Sequence, residues 1–258
     1  MNYQTPFVLT ILFIVFHSAY AGDCIAFDPQ QSEASSNPVN HLHIGSISIN
    51  TDEVFDPSKP GQHTFLHRWA NKIHIETKDS TVKQQLLFKE GDAFSWQRIH
   101  ESERLLRANR YIKDATIVPF ERCGNSINIK VSTNYKWTLT PGISFGRSGG
   151  NNRSGVELQE HNLLGYGKSL SLSYKQETER NSSLLEYLDP QVFGSRKRLF
   201  MSLQDNSDGN GYELDFGLPF YALDTRRAWG INSSSFTQDN SVYENGATIT
   251  QPLCTESA

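Results

Sequence analysis

Ser169-Leu170-Ser171-Leu172-Ser173-Tyr174 decides the reading of the second half of this chain. Apolar side chains alternate with serine over six positions. Successive side chains of a strand point to opposite faces, so a period of two gives one apolar and one polar face. The same texture recurs on both sides. Upstream, Val156 and Leu158 alternate with Glu157 and Gln159, while Trp137, Leu139, Ile143 and Phe145 share a face opposed by Thr138, Thr140, Gly142 and Ser144. Downstream, Leu199, Met201 and Leu203 repeat the pattern, then Tyr212, Leu214, Phe216 and Leu218 against Glu213, Asp215 and Gly217. Trp229 and Ile231 begin another run, and a weaker one ends near Ile249. This predicts about eight antiparallel strands of roughly 8–11 residues over 135–258, the length a tilted strand needs to cross a hydrocarbon layer.

Alternation alone does not say where the apolar face looks. A soluble sandwich turns it inward and a membrane barrel turns it toward lipid. The connections carry more information. Polar, Gly- and Asn-rich ones (Arg147–Gly155, Glu177–Ser182, Asp205–Gly211) alternate with compact ones (Asn162–Lys168, Asp189–Lys197, Pro219–Arg227). Two unlike rims suit a barrel with external loops on one side and short turns on the other.

The first half reads differently. Residues 1–21 hold an apolar run from Pro6 to Phe16 and end in Ala19-Tyr20-Ala21, the pattern of a cleaved secretory signal, although its first residues carry no Lys or Arg. Residues 22–41 are polar and read as a flexible lead-in. Residues 42–134 follow as an α+β unit in the order strand, helices, strand, strand. Ile44, Ile47 and Ile49 lie on the first strand, and Asp52–Gly61 is loop. Phe65, Leu66, Trp69, Ala70 and Ile73 predict a helix within 62–74. A second helix, capped by Asp79 or Ser80, runs through Val82, Leu86 and Leu87. Glu90-Gly91-Asp92 is a turn. Ser95 caps a third helix over Trp96–Ala108, with Asn109 as a left-handed stop. Ala115, Ile117 and Phe120, then Ile127, Ile129 and Val131, mark two strands joined at Cys123-Gly124-Asn125.

Composition narrows the function classes. Net charge is −4 with 20% charged residues, so no basic excess points to nucleic acid. Cys24, Cys123 and Cys254 fit no metal spacing and read as unpaired thiols, with a Cys24–Cys123 bridge as the alternative. His63 and His67, like His41 and His43, have no companion ligands in a metal motif and read as surface residues. Glu101, Glu103 and Arg104 read as a solvated helix face with i,i+3 pairing. There is no G-x-S-x-G elbow, P-loop or dinucleotide fingerprint. No catalytic residue, metal or cofactor is therefore assigned.

Two sets of motifs carry a resemblance. Glu90-Gly91-Asp92-Ala93-Phe94, Glu101-Ser102-Glu103-Arg104-Leu105-Leu106-Arg107 and Tyr111-Ile112 resemble a POTRA (polypeptide-transport-associated) domain. Glu160-His161-Asn162-Leu163-Leu164-Gly165 with Gly167-Lys168, Tyr187-Leu188-Asp189-Pro190 with Phe193-Gly194-Ser195-Arg196, Asn206-Ser207-Asp208-Gly209, and Pro219-Phe220-Tyr221-Ala222-Leu223-Asp224-Thr225-Arg226 resemble the barrel of the BamA/TamA-like outer-membrane superfamily, the bacterial surface antigens. The order and spacing of the pieces, over about 44–230, carry more than any one of them.

The resemblance implies a periplasmic POTRA domain followed by strands of an outer-membrane barrel. It also implies a role in protein assembly or translocation, with outer-membrane lipid and unfolded or nascent outer-membrane polypeptides, or periplasmic assembly partners, as its contacts. Partner chains would add to the edge strand that bears Ile44, Ile47 and Ile49. Asn162, Gly165, Asp189, Pro190, Asp208, Gly209, Pro219, Phe220, Asp224 and Arg226 would hold barrel turns, with Asp capping and Arg pairing across the last of them. Family barrels have sixteen strands, so about eight here, ending without an apolar, aromatic last strand, leads to the expectation of a truncated member. The alternative is a structural outer-membrane protein, or a truncated product without transport activity.

Overall fold

Ile127, Ile129 and Val131 alternate with Asn128 and Lys130, and all three are fully buried. They lie on a central strand of the first sheet. The computed structural model describes residues 24–28, 42–52, 76–244 and 247–257. The signal segment, most of the lead-in and the helix expected within 62–74 lie outside them.

The first sheet comprises β1 (Cys24–Ala26), β2 (His43–Asp52), β3 (Ile112–Cys123) and β4 (Ser126–Tyr135), in the order β1-β3-β4-β2. β3 and β4 form an antiparallel hairpin turning at Gly124, and β2 joins β4 in parallel. Two helices, α1 (Asp79–Gln85) and α2 (Trp96–Arg107), and the segments that flank them supply the rest of the core. Val82, Leu86, Phe88, Phe94, Ile99 and Leu106 pack on Leu42, Ile44, Ile112, Ala115, Ile117 and the β4 residues. Burial at about 25 cal/mol per Å² of apolar surface makes this core the main stabilising term of the unit.

Several local expectations are corrected. α1 stops at Gln85 and Leu86 is already extended, so Leu87 is not helical. The N-cap of α1 is Lys78, not Asp79 or Ser80, and neither Lys78 nor Ser95 makes a side-chain cap bond. Asn109 is not left-handed; its amide instead donates to the Leu105 and Leu106 carbonyls and so closes α2. The lead-in is structured where β1 forms, antiparallel to the end of β3. Cys24 and Cys123 are bonded, not free, because that register places them directly opposite each other; Cys254 is free and exposed.

The second sheet has eight strands: β5 (Leu139–Ser148), β6 (Asn151–Leu163), β7 (Lys168–Gln176), β8 (Asn181–Asp189), β9 (Arg198–Asn206), β10 (Gly209–Leu218), β11 (Trp229–Glu244) and β12 (Ala247–Ser257). They form one antiparallel meander, and among the described residues β5 and β12 are its unpaired edges. Register gives each face a continuous row. Leu158, Leu172, Leu185, Leu203 and Tyr212 are direct cross-strand neighbours over five strands. One residue along, Gln159, Ser171, Glu186, Ser202, Glu213 and Ser234 neighbour one another over six.

The two rims differ, but not as expected. Two of the polar connections are tight: Gly149-Gly150 alone, both at positive φ, joins β5 to β6, and Ser207-Asp208 joins β9 to β10, while 177–180, between β7 and β8, has the same length as 164–167. The strands run on through the polar residues because Gly-Gly and Ser-Asp suffice for a hairpin. The connections of the other rim are 164–167, 190–197 and 219–228, which join β6 to β7, β8 to β9 and β10 to β11.

Candidate functional site

Those three connections converge on the helices of the α+β unit. α1 has seven residues and no side-chain cap of its own. The first amides and last carbonyls of a helix need partners from elsewhere. Here the second sheet provides them. At the start, the Gly165 carbonyl accepts from Lys78 N–H (3.0 Å) and from the Thr81 hydroxyl (2.9 Å). At the end, Gln191 donates to the Gln84 carbonyl (3.0 Å), and Arg196 donates to the Gln85 (3.3 Å) and Leu86 (2.6 Å) carbonyls. One helix is thus held at both ends by two turns of another sheet.

Asn162 and Gly165 build the first turn. Asn162 is fully buried; its amide donates to Thr77 Oγ1 (2.9 Å), and its Oδ1 accepts from Gly167 N–H (2.8 Å). Gly165 has φ +77°, and a Cβ there would stand 2.3 Å from the Glu76 carbonyl oxygen, so the position requires glycine. Gly167 lies against the Tyr111 ring in the same way. Tyr111 accepts a hydrogen bond from Gln85 (2.6 Å), and burial pushes its phenol above the usual tyrosine range. Lys78 stacks 3.7 Å from the Tyr166 ring centroid.

In the second turn, Asp189 is buried, pairs with Lys168 (3.0 Å) and accepts from Gln191 N–H (2.9 Å), which aims Gln191 at α1. Arg196 lies over the Tyr221 ring, 4.9 Å to the centroid, and burial lowers its pKa from the ordinary arginine value. Pro190 borders a cavity of about 430 Å³ between the polar face of the sheet and the α+β unit, whose lining includes Tyr111, Gln159, His161, Ser171, Glu186 and Arg198.

The third connection reaches α2. Leu223 N–H donates to Glu101 Oε1 (3.3 Å), and Arg104 grips the same carboxylate through Nε (3.0 Å) and Nη2 (2.7 Å). Glu101 is therefore buried at the joint, not part of a solvated face, and Glu103 likewise turns inward to accept the Ile117 N–H. The Arg104 hydrogen bonds hold the Glu101 carboxyl below its ordinary pKa of 4.5. A depressed folded-state pKa stabilises above the unfolded value and is lost as pH falls through the folded one. The joint should therefore be intact above about pH 4.5 and loosen below it. Hydrogen exchange at Leu223 should show this pH dependence in the native chain and lose it in Glu101→Gln.

The remaining predicted turn residues fall elsewhere. Asp208 is on the opposite rim, where Arg180 binds its Oδ2 through Nε (3.0 Å) and Nη2 (2.6 Å), next to Gly209. Pro219 and Phe220 are exposed. Asp224 and Arg226 are exposed too, and do not pair across their turn among the described residues; Thr225 closes it by accepting from Ala222 N–H (3.2 Å). Ile44 and Ile47 bury their side chains in the core, and Ile49 packs against it. The outer edge of β2 is occupied at its start: Gly91 and Asp92 bond the Ile44 backbone, and Phe94 bonds Leu42. The Glu90 carboxylate then accepts Ile47 N–H (3.1 Å). His43 is exposed; His41, His63 and His67 lie outside the described residues.

The faces of the two sheets differ in exposure. In the first, alternate apolar residues are buried. In the second they are open: Leu158, Leu172, Leu203 and Tyr212 are 40–50% exposed, and Phe145 reaches 83%. An α+β unit clamped to one rim of an antiparallel meander with an open apolar face accords with the motifs, and the chain resembles the BamA/TamA-like outer-membrane superfamily. No family model matches it. It is 24% identical over 180 residues to the outer membrane protein assembly factor BamA of Nitratidesulfovibrio vulgaris, a stretch covering 66% of this chain and 22% of that protein. It thus spans about a fifth of that relative's length. Among solved structures, BamA from Haemophilus ducreyi lacking POTRA domains 1–3 is 14% identical, with 83% of this chain and 42% of that one covered and a TM-score of 0.43. CdiB from Acinetobacter baumannii is 12% identical, with 89% and 44% covered and a TM-score of 0.48.

Proposed function

We propose that the chain is a non-enzymatic outer-membrane protein of the assembly or translocation type. In this reading 42–134 is a periplasmic POTRA domain and 135–258 contributes strands to a membrane barrel. The observation that carries it is the apolar row from Leu158 to Tyr212, exposed at Leu158, Leu172, Leu203 and Tyr212 and half-buried at Leu185, backed one residue along by a polar row. Water disfavours so wide an open apolar band, whereas lipid requires it. Strands β7, β8 and β9, nine residues each, have the length of a tilted membrane strand. The rim that holds the α+β unit would face the periplasm.

Fluorophores placed singly at Leu172, Leu203, Ser171 and Ser202 of the full chain in phosphatidylcholine vesicles test this. Quenching by brominated acyl chains is expected at the two leucine positions and weak at the two serine positions. Equal quenching at all four would refute the membrane assignment.

The POTRA unit would bind client or partner chains by strand addition at β2, as the resemblance implies. The backbone of Ile49 and Thr51 lies beyond the stretch occupied by Gly91–Phe94 and Glu90. An added strand takes its affinity from main-chain hydrogen bonds. Ile49→Pro removes one donor from this edge and should weaken binding of an unfolded outer-membrane polypeptide about tenfold, the equivalent of one net hydrogen bond. Titration of the full chain with such a polypeptide checks this, and unchanged affinity would move the binding surface elsewhere.

A further inference from the structure

The other edge of the first sheet is closed, and closed by a removable piece. Along β3, Ala115 N–H is taken by Asp114 Oδ1 (2.9 Å), Ile117 N–H by Glu103 (2.6 Å), and Pro119 has no donor. Among the described residues, only the last stretch of this edge, Glu121 to Cys123, is paired with a strand, and that strand is β1. β1 has three residues, all exposed. Past it, Phe27 donates its N–H to the Phe120 carbonyl (3.0 Å), and its ring packs 6.3 Å from Phe94 and 6.4 Å from Trp96. Phe94 and Trp96 meet edge to face at 5.1 Å and form the wall of that slot. The Trp96 indole N–H is buried and finds no acceptor among the described residues.

A three-residue strand is marginal alone. The Cys24–Cys123 bond holds it in place across 99 residues of sequence. We propose that the seat of β1, made by Glu121–Cys123 with the Phe94–Trp96 slot, is a second strand-addition site. It fits an extended segment bearing an aromatic side chain, and β1 occupies it in cis for as long as the disulfide persists. Opening is thiol–disulfide exchange. A dithiol reductant supplies two electrons and two protons, the Sγ–Sγ bond breaks, two thiols form, and the reductant leaves as its own disulfide. This site is separate from the β2 edge and does not depend on how that edge is used.

The test uses the full chain in detergent micelles and a fluorescent peptide of residues 22–30 carrying Cys24→Ser. Oxidised native protein should not bind it. The Cys24→Ser/Phe27→Ala protein, which lacks tether and competing ring, should bind it at one saturable site. Replacing Phe27 by Ala in the peptide should weaken binding at least about tenfold, as expected for a buried phenyl ring. Binding to oxidised protein, or no loss with the Phe27→Ala peptide, would overturn the site. A second measurement uses the native chain. Hydrogen exchange at the Phe27 amide should accelerate about tenfold when dithiothreitol reduces the bond, as an edge segment frays. An unchanged rate would overturn redox control. That result stands even where the double variant fails to fold.

Discussion

Leu172→Arg is expected to lower the stability of the full chain in phosphatidylcholine vesicles by about 2–4 kcal/mol, whereas Ser171→Arg should cost less than about 1 kcal/mol. Leu172 is the central residue of nine-residue β7, on the open apolar face. A cation there would meet the hydrocarbon midplane. Ser171 is its sequence neighbour on the polar face, opposite Glu186, so an arginine there would be hydrated and charge-compensated. Denaturant titration of both variants in vesicles reads the difference. In a soluble sandwich the order would differ, because both faces would meet protein or water. Equal costs would therefore remove the membrane reading while leaving the sheet itself intact.

Arg196→Ala should cost about 1.5–3 kcal/mol in the anchoring of the α+β unit to the sheet, the usual effect of removing a charged hydrogen-bond donor. Two opposing terms set this figure. Burial penalises the guanidinium, so its removal recovers some desolvation energy. Against that, the Gln85 and Leu86 carbonyls at the end of α1 lose their donor, and the Tyr221 ring loses its cation. Unsatisfied helix-end carbonyls under a packed turn are costly. Hydrogen exchange in α1 should quicken while exchange in β7 and β8 stays unchanged. If α1 and β8 quicken together, the two parts unfold as one unit and Arg196 is not a separable anchor.

The residues of the joint sit partly inside legible motifs, but the joint itself is not legible in the sequence. Asn162, Gly165 and Asp189 lie in motifs legible in the sequence, but nothing local to them points to α1. Glu101 and Arg196 lay inside the quoted motifs, yet charge spacing on a helix makes Glu101 look solvated, since i,i+3 pairing occurs on exposed faces too. Its burial comes from Leu223, 122 residues away. Thr77, Gln84 and Gln191 carry no local signal at all. Each matters because it meets a backbone group of a distant element.

By itself, the sequence determined the strand texture of 135–258, because side-chain alternation is a local property of an extended backbone. The same alternation marks β4 of the α+β unit, where Ile127, Ile129 and Val131 face the core. Tertiary structure alone decided which face of the second sheet is open, since period two is the same in a sandwich and a barrel. It decided that two of the polar connections are two-residue hairpins and that 190–197 and 219–228 are the long ones, because strand ends depend on pairing with a neighbour. It decided the Cys24–Cys123 bond, which needs two strands in register before two thiols can meet.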